Sequence, residues 1–196
     1  MRRMIATVAA AVALLLGAGL TGMALAHDDD GTGWGRHPMS TSGSVGGSMM
    51  GHARTDDEAG YLSEMVAHHR EAILAAGELS RSDRPEMRAL GRRIVADQSA
   101  QVELMEGWLA EWYADEPEAA YEPMMRNLSG LHGDALDRAF LEDMIGHHMA
   151  AVMQSQQLLV HGLTEHEEVA DLARSIRDAQ VGEIRWMRAE WSTIAG

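Results

Sequence analysis

"MVAHHREAILAAGEL" (Met65–Leu79) and "MIGHHMAAVMQSQQL" (Met144–Leu158) carry one pattern twice: a methionine, two spacers and a histidine pair, at a constant offset of 79 residues. Around each pair the apolar residues recur every three or four positions. The first copy places Leu62, Met65, Val66, Ala72, Ile73, Ala76 and Leu79 on one stripe with His69; the second places Phe140, Leu141, Met144, Ile145, Ala151, Val152 and Leu158 with His148. That period predicts two amphipathic helices. A further helix is predicted after each, through Met87, Leu90, Ile94, Val102, Met105 and Leu109 to Trp112, and through Val169, Leu172, Ile176, Ile184, Met187 and Trp191.

These second helices align at an offset of 82: Leu90 with Leu172, Ile94 with Ile176, Gln98 with Gln180, Val102 with Ile184, and Met105 with Met187. The three extra residues are therefore placed in the turn of the second hairpin. An αα-hairpin cannot bury its own apolar stripe, so two of them are predicted to pack as an all-α, four-helix bundle of approximate two-fold symmetry.

Capping signals set the expected boundaries. Thr55 and Glu58 have capping-box spacing and open the first helix. Ser82 or Asp83 offers an N-cap before Pro85, and proline is well placed in a first turn. Asp134 opens the third helix, and Thr164 with Glu167 is a second capping box. The stretch from Ala114 to Gly133, with Pro117, Pro123, Gly130 and Gly133, is too broken for a helix and reads as the connection. Hairpin 1 thus covers about 55–113, the linker 114–133 and hairpin 2 about 134–194, within a bundle domain of 55–196.

Before the bundle, residues 1–26 have Arg2 and Arg3, an uncharged apolar run, and Ala24-Leu25-Ala26, the small-x-small pattern of a signal-peptidase site. Cleavage after Ala26 and export are expected; the alternative is an uncleaved membrane anchor, since about 20 apolar residues cross a bilayer. Residues 27–54 are rich in Gly, Ser and Asp without apolar periodicity and are expected to be a disordered arm. His27, His37, Met39, Met49, Met50 and His52 punctuate it as candidate metal-capture residues, the alternative being a plain spacer.

The 196 residues are 46% hydrophobic and contain no cysteine, which removes disulfides and thiolate metal sites even in an oxidising compartment. The formal net charge is −14, from 30 acidic and 16 basic residues, so nucleic acid is a poor partner. No lysine occurs, and neither a Ser/His/Asp constellation nor a glycine-rich phosphate loop is present.

What remains is the duplicated Met/His set. Neighbours on a helix point about 100° apart, so His68 and His69 alone do not chelate one ion. His69 shares the inward stripe with Met65, and His148 with Met144. His68 and His147 lie toward a flank, each with a carboxylate one turn earlier, Glu64 and Asp143, as an orienting partner or a ligand. A single core histidine would read as structural, but a repeated pair aimed into a bundle reads as a metal site. Thioether and imidazole without thiolate favour Cu(I), with Cu(II) also served by imidazole and zinc on the four histidines as second choice. A di-iron site is disfavoured because neither helix carries the Glu-x-x-His that such bundles use.

"YLSEMVAHHREAI" and "RAFLEDMIGHHMAAV", each followed by a helix ending in "QSAQVELM" or "QVGEIRWM", resemble the domain of unknown function 305 family over most of Asp57 to Trp191. The resemblance implies a ferritin-like four-helix bundle, usually exported, with members linked to copper binding and tolerance through His and Met ligands. By position it points to Met65, His68, His69, Met144, His147 and His148, and further to Met105 and Met187 on the partner helices. Many relatives have a proline just before the histidine pair, where this chain has Ala67 and Gly146.

The expected function is a non-enzymatic, exported copper-binding bundle that sequesters copper, with a copper-handling protein or a second copy of the chain as partners left open. The alternatives are a metal-dependent oxidase on the same bundle and an interaction module whose histidines are structural.

Overall fold

The computed structural model describes residues 56–195; residues 1–55, which hold the expected leader, the expected arm and Thr55, and Gly196 lie outside the described residues. Four helices follow, α1 (Glu58–Glu78), α2 (Pro85–Trp112), α3 (Gly133–Val160) and α4 (Glu167–Ala195), with a 3-10 turn over Leu79–Arg81 prolonging α1. Among the described residues there is no strand, and no helix is long and apolar enough to cross a membrane. The chain is an all-α four-helix bundle in which α1 packs on α2, α3 on α4, and the hairpins meet mainly through α1 against α3.

The helix ends differ from the expected caps in instructive ways. Asp57, not Thr55, caps α1: its backbone is extended and its Oδ1 accepts from Gly60 N–H at 2.8 Å. Pro85 does open α2, but Arg84 holds the cap position without a side-chain bond; Ser82, two residues before it, donates Oγ–H to Asp137 across the bundle at 2.9 Å and accepts from Arg84 N–H at 3.1 Å. The third helix starts one residue before Asp134, at Gly133, whose φ of 52° lies in the left-handed region. His166, not Thr164, stands at the start of α4, its carbonyl accepting from Ala170 N–H at 3.3 Å.

Counting the 3-10 turn, the first helix of each hairpin ends at equivalent positions, Arg81 and Val160, so the three extra residues do fall in the second turn. They build a Schellman stop: Leu163 N–H reaches Leu158 O at 3.1 Å and Gly162 N–H reaches Leu159 O at 3.3 Å, with Gly162 at φ 62°.

Two fully buried acids at equivalent positions, Glu58 and Asp137, fasten each hairpin to the turn of the other. Glu58 on α1 accepts from the N–H groups of Glu165 (2.6 Å) and His166 (3.0 Å), from His166 Nδ1 (2.6 Å) and from the Tyr113 hydroxyl (3.0 Å). It thereby serves N–H groups at the start of α4 that no helical carbonyl can reach. Asp137 on α3 does the same to the first turn, through Ser82 and an ion pair with Arg84 Nε at 3.6 Å. Its carboxyl is pushed up by burial, against the pull of Ser82 and Arg84.

The core is divided. One apolar cluster holds Tyr61, Leu62, Met65, Met105, Leu158 and Ile176, and a second holds Leu79, Leu90, Phe140, Met144, Ile184 and Met187. In antiparallel hairpins these are the two ends of the bundle. Between them, all four helices turn polar side chains inward: His68 and His69, Gln98, His147 and His148, and Gln180, none more than 3% exposed.

Close packing of α2 on α1 depends on Gly91, where a Cβ would lie 2.6 Å from Ala76 O and 2.9 Å from Leu79 Cβ. Gly91→Ala is expected to destabilise the bundle by about 1–3 kcal/mol through overpacking. Gly107→Ala, on the same helix with nothing within 4 Å, is expected to stabilise it by about 0.5–1 kcal/mol. Urea midpoints of the two variants check both signs.

Candidate metal centre

The 100° step between neighbours on a helix gives each histidine of a pair a different surface to face. His69 and His148 face their own hairpins. His69 Nε2–H donates to Gln101 Oε1 on α2 at 2.7 Å, and His148 Nε2–H donates to Glu183 Oε2 on α4, also at 2.7 Å. Gln101 and Glu183 occupy equivalent positions in the two hairpins, so the pseudo-symmetry extends to the partners of the inward histidines.

His68 and His147 face each other across the contact of α1 with α3. The expectation that they lie on a flank is corrected: they are buried, with rings stacked at 3.6 Å between centroids and 13° between planes. Two coplanar lone pairs in nearly parallel planes cannot converge on one ion, so a site taking all four imidazoles, as considered for zinc, is absent from this arrangement. Among the described residues no group of three or more His, Cys, Asp or Glu side chains is poised to hold a metal ion.

A carboxylate that the second copy does not share, Glu71, and a tyrosine from the linker, Tyr121, complete this side. Glu71 Oε2 lies 3.2 Å from His147 Nε2 and accepts the Tyr121 hydroxyl at 2.5 Å; Glu71 also accepts from Met124 N–H (3.1 Å) and Met125 N–H (2.8 Å). One side chain on α1 therefore ties the linker over the histidines. The Tyr121 oxygen is also 3.1 Å from His68 Nδ1, and His68 Nε2–H donates to His147 O at 3.1 Å. Neutral His68 has only one N–H, so its Nδ1 and Glu71 compete for the single tyrosine proton.

Glu64 and Asp143, expected beside His68 and His147, do not reach them. Glu64 accepts from Gln154 Nε2 at 3.0 Å, and Asp143 is engaged by Arg126 through Nε (2.8 Å), Nη2 (2.6 Å) and the backbone N–H (2.9 Å). The helical turn that separates them from the histidines carries them to the rim of α1 and α3, where the linker and a neighbouring glutamine take them. Met65 and Met105 are buried in one apolar cluster, Met144 and Met187 in the other. The candidate thioethers thus stand above and below the histidine layer, one α-helical pair per hairpin. The arm residues His27, His37, Met39, Met49, Met50 and His52 lie outside the described residues.

Burial sets the protonation of the layer. His69 is pushed down to about 3, with the Gln101 bond acting against the shift; His147 is lowered by burial with Glu71 opposing; His68 is held well below 6.5 by burial and then by the neighbouring imidazoles. Burial would raise Glu71, but hydrogen bonds from His147, Tyr121, Met125 and Met124 together hold it at about 2. His68, His69 and His147 are thereby held as neutral imidazole beside an ionised Glu71. His69, His147 and His148 all present a buried Nδ1 with no hydrogen-bond partner. In the neutral ring with Nε2–H donated, that atom is a free lone pair, the form in which imidazole binds metals.

Gln101 and Glu183 were legible in the sequence, since the alignment of "QSAQVELM" with "QVGEIRWM" pairs them. Glu71 was not: its equivalent in the second copy is Ala150, so a search for repeated residues passes over it. Tyr121 comes from the irregular linker, where no periodicity points anywhere.

A four-helix bundle with a buried, duplicated imidazole layer flanked by methionines defines a class of histidine/methionine-cored bundle. The chain matches Domain of unknown function (DUF305) over residues 58–191 and belongs to that family. It is similar to CopM in the Cu(I)-bound form, at 29% identity and TM-score 0.64, covering 71% of this chain and 99% of that one. CopM is also known in Cu(II)-bound, silver-bound and apo forms. A DUF305 fragment from Deinococcus radiodurans matches at 30% identity and TM-score 0.62, covering 71% and 98%. A DUF305 protein from Streptomyces coelicolor shares the fold at 24% identity and TM-score 0.64, covering 72% and 96%. No curated protein matches the chain.

Because the three histidines with depressed values are neutral when folded and take up protons when unfolded below about pH 6.5, they stabilise the metal-free fold fully only above that pH. Stability is expected to fall as the pH drops below about 6.5, with a limiting slope of about 1.4 kcal/mol per pH unit for each histidine that stays neutral in the fold. Urea midpoints at pH 7, 6 and 5 check this; a flat profile would mean the layer is not neutral imidazole. Tyr121→Phe removes one of the linker's three bonds to Glu71, and with Arg126 the only arginine of the linker, tryptic cleavage there is expected to rise about 5-fold for a loss of about 1 kcal/mol.

Proposed function

We propose that this protein binds copper, Cu(I) before Cu(II), and holds it outside the cytoplasm as a sequestering protein rather than an enzyme. The observation that carries the reading is the set of three buried, unpartnered imidazole nitrogens, on His69, His147 and His148, in a layer bounded by Met65 and Met105 on one side and Met144 and Met187 on the other. A buried polar atom without a partner costs about 1–3 kcal/mol, so three approach the 5–15 kcal/mol by which a whole domain is stable. Such a cost is offset when a ligand takes the lone pairs.

The donor chemistry supports a soft, low-coordinate ion. Thioether sulfur and neutral imidazole suit Cu(I), and Cu(I) does not need the three or four converging N/O groups that a zinc site requires. Copper-bound forms of CopM, similar to this chain over most of its length, point the same way. Export rests on the N-terminal sequence, and the arm's histidines and methionines are assigned to collecting the ion before it reaches the bundle. Storage is favoured over oxidation on the donor set, since neither helix of the repeat carries the Glu-x-x-His of an oxygen-activating di-iron bundle.

The test is titration of residues 27–196 with Cu(I) against a competing chelator, with Cu(II) and Zn(II) in parallel, beside a His69→Leu/His148→Leu variant. Leucine fills the space without leaving a buried lone pair, so the variant is expected to fold, by its thermal midpoint. It is expected to lose Cu(I) affinity by more than the roughly 10–100-fold that loss of an outer hydrogen-bond partner costs. Equal binding by both proteins would make the histidines core architecture and overturn the reading.

A further inference from the structure

Under the pseudo-two-fold, His69 and His148 are equivalent. Each lies four residues after an inward methionine, Met65 or Met144; each donates Nε2–H at 2.7 Å to the second helix of its hairpin; each leaves Nδ1 buried and unpartnered. The methionine four residues beyond that acceptor, Met105 or Met187, is fully buried in the same apolar cluster as the first. The chain thus carries two Met/His/Met sets, one per hairpin, on opposite sides of the layer. They differ in one atom group. Behind His69 stands the neutral amide of Gln101; behind His148 stands the carboxylate of Glu183.

That difference is large where these residues sit. An imidazole whose far N–H is bonded to a carboxylate is a stronger donor than one bonded to an amide, and the carboxylate offsets the positive charge an ion brings into a poorly solvated layer. Glu183 keeps 21% of its side chain exposed, so water still reaches this carboxylate while Glu183 Oε2 holds His148 Nε2 at 2.7 Å.

We infer that Gln101 and Glu183 make the two hairpins unequal soft-metal sites, with the His148 set, backed by Glu183, filling before the His69 set, backed by Gln101. This rests on the copper reading above and adds to it the number of sites, their order and the positioning residues that set the order. Glu183 and Gln101 act through the histidines and do not themselves touch the ion.

The experiment is a competition titration of residues 27–196 with Ag(I) and Cu(I), beside Glu183→Gln and Gln101→Glu, with ring-nitrogen NMR of the histidines in the metal-free proteins. The wild type is expected to fill in two steps. Glu183→Gln is expected to weaken the first step roughly 10–100-fold and leave the second, and Gln101→Glu to strengthen the second and narrow the gap. The metal-free spectra are expected to show His69 and His148 as Nε2–H tautomers in all three proteins, with unchanged thermal midpoints excluding a folding effect. A wild type that binds in one step, or a Glu183→Gln titration that matches it, would overturn the inference while leaving copper binding intact. A wild type that binds neither ion would overturn the copper reading itself, and Nδ1–H tautomers at His69 and His148 would remove the lone pairs on which both sites depend.

Discussion

The two halves of this bundle meet where His68 stacks on His147, and most of what is distinctive in the structure follows from placing two imidazoles there. The contact of α1 with α3 is the principal joint between the hairpins, and at its centre stand rings 3.6 Å apart rather than leucines. Each ring brings two nitrogens that need partners, and the stack itself supplies only one, His68 Nε2 on His147 O. The remainder must come from elsewhere in the chain. Tyr121 serves His68 Nδ1 and Glu71 serves His147 Nε2, leaving only His147 Nδ1 without a partner, and with them an otherwise irregular linker is drawn across α1 and held by three bonds to a single carboxylate.

A polar layer of this kind cuts the core in two, and small cores are costly to divide. The structure compensates at the ends. Glu58 and Asp137 reach from the first helix of one hairpin into the turn of the other, so each hairpin holds the other's loop by buried, charge-assisted hydrogen bonds. His166, held by Glu58, extends this by stacking on Trp112 at 3.8 Å, with Trp108 beyond it. The bundle is clamped at both ends and left with unpartnered lone pairs in the middle, an arrangement suited to a fold that must persist whether or not a ligand is bound.

Duplication explains the placement of the histidines, and its failures mark where the two halves differ chemically. Where the two copies agree, as at Met65 with Met144 or Gln98 with Gln180, the residues build the layer and its borders. Where they disagree, the disagreement is chemical: Glu71 against Ala150, Gln101 against Glu183, Glu64 against an Asp143 that is taken up by Arg126. Each breaks the symmetry of the electric field around rings that the backbone places symmetrically.

The sequence by itself determined the architecture. Apolar period, two offsets and one broken stretch were enough for four helices in two hairpins, for the inward direction of Met65, His69, Met144 and His148, and even for three extra residues in the second turn, because helical periodicity is a local property that neighbouring residues write directly. Caps were less legible: Thr55, Ser82 and Thr164 had suitable side chains, but Asp57, Arg84 and His166 hold the positions, with Ser82 bridging Asp137 and the Arg84 N–H and Glu58 taking the free N–H groups at the start of α4. What only the tertiary structure decided was the environment of the histidines. Whether His68 faces solvent or His147, and whether a carboxylate one turn away or a tyrosine 53 residues away reaches its Nδ1, depends on how α1 meets α3 and where the linker lies. Those contacts join residues far apart in the chain, and no local pattern encodes them, because hydrogen-bond partners are settled by distance in space after the helices have packed.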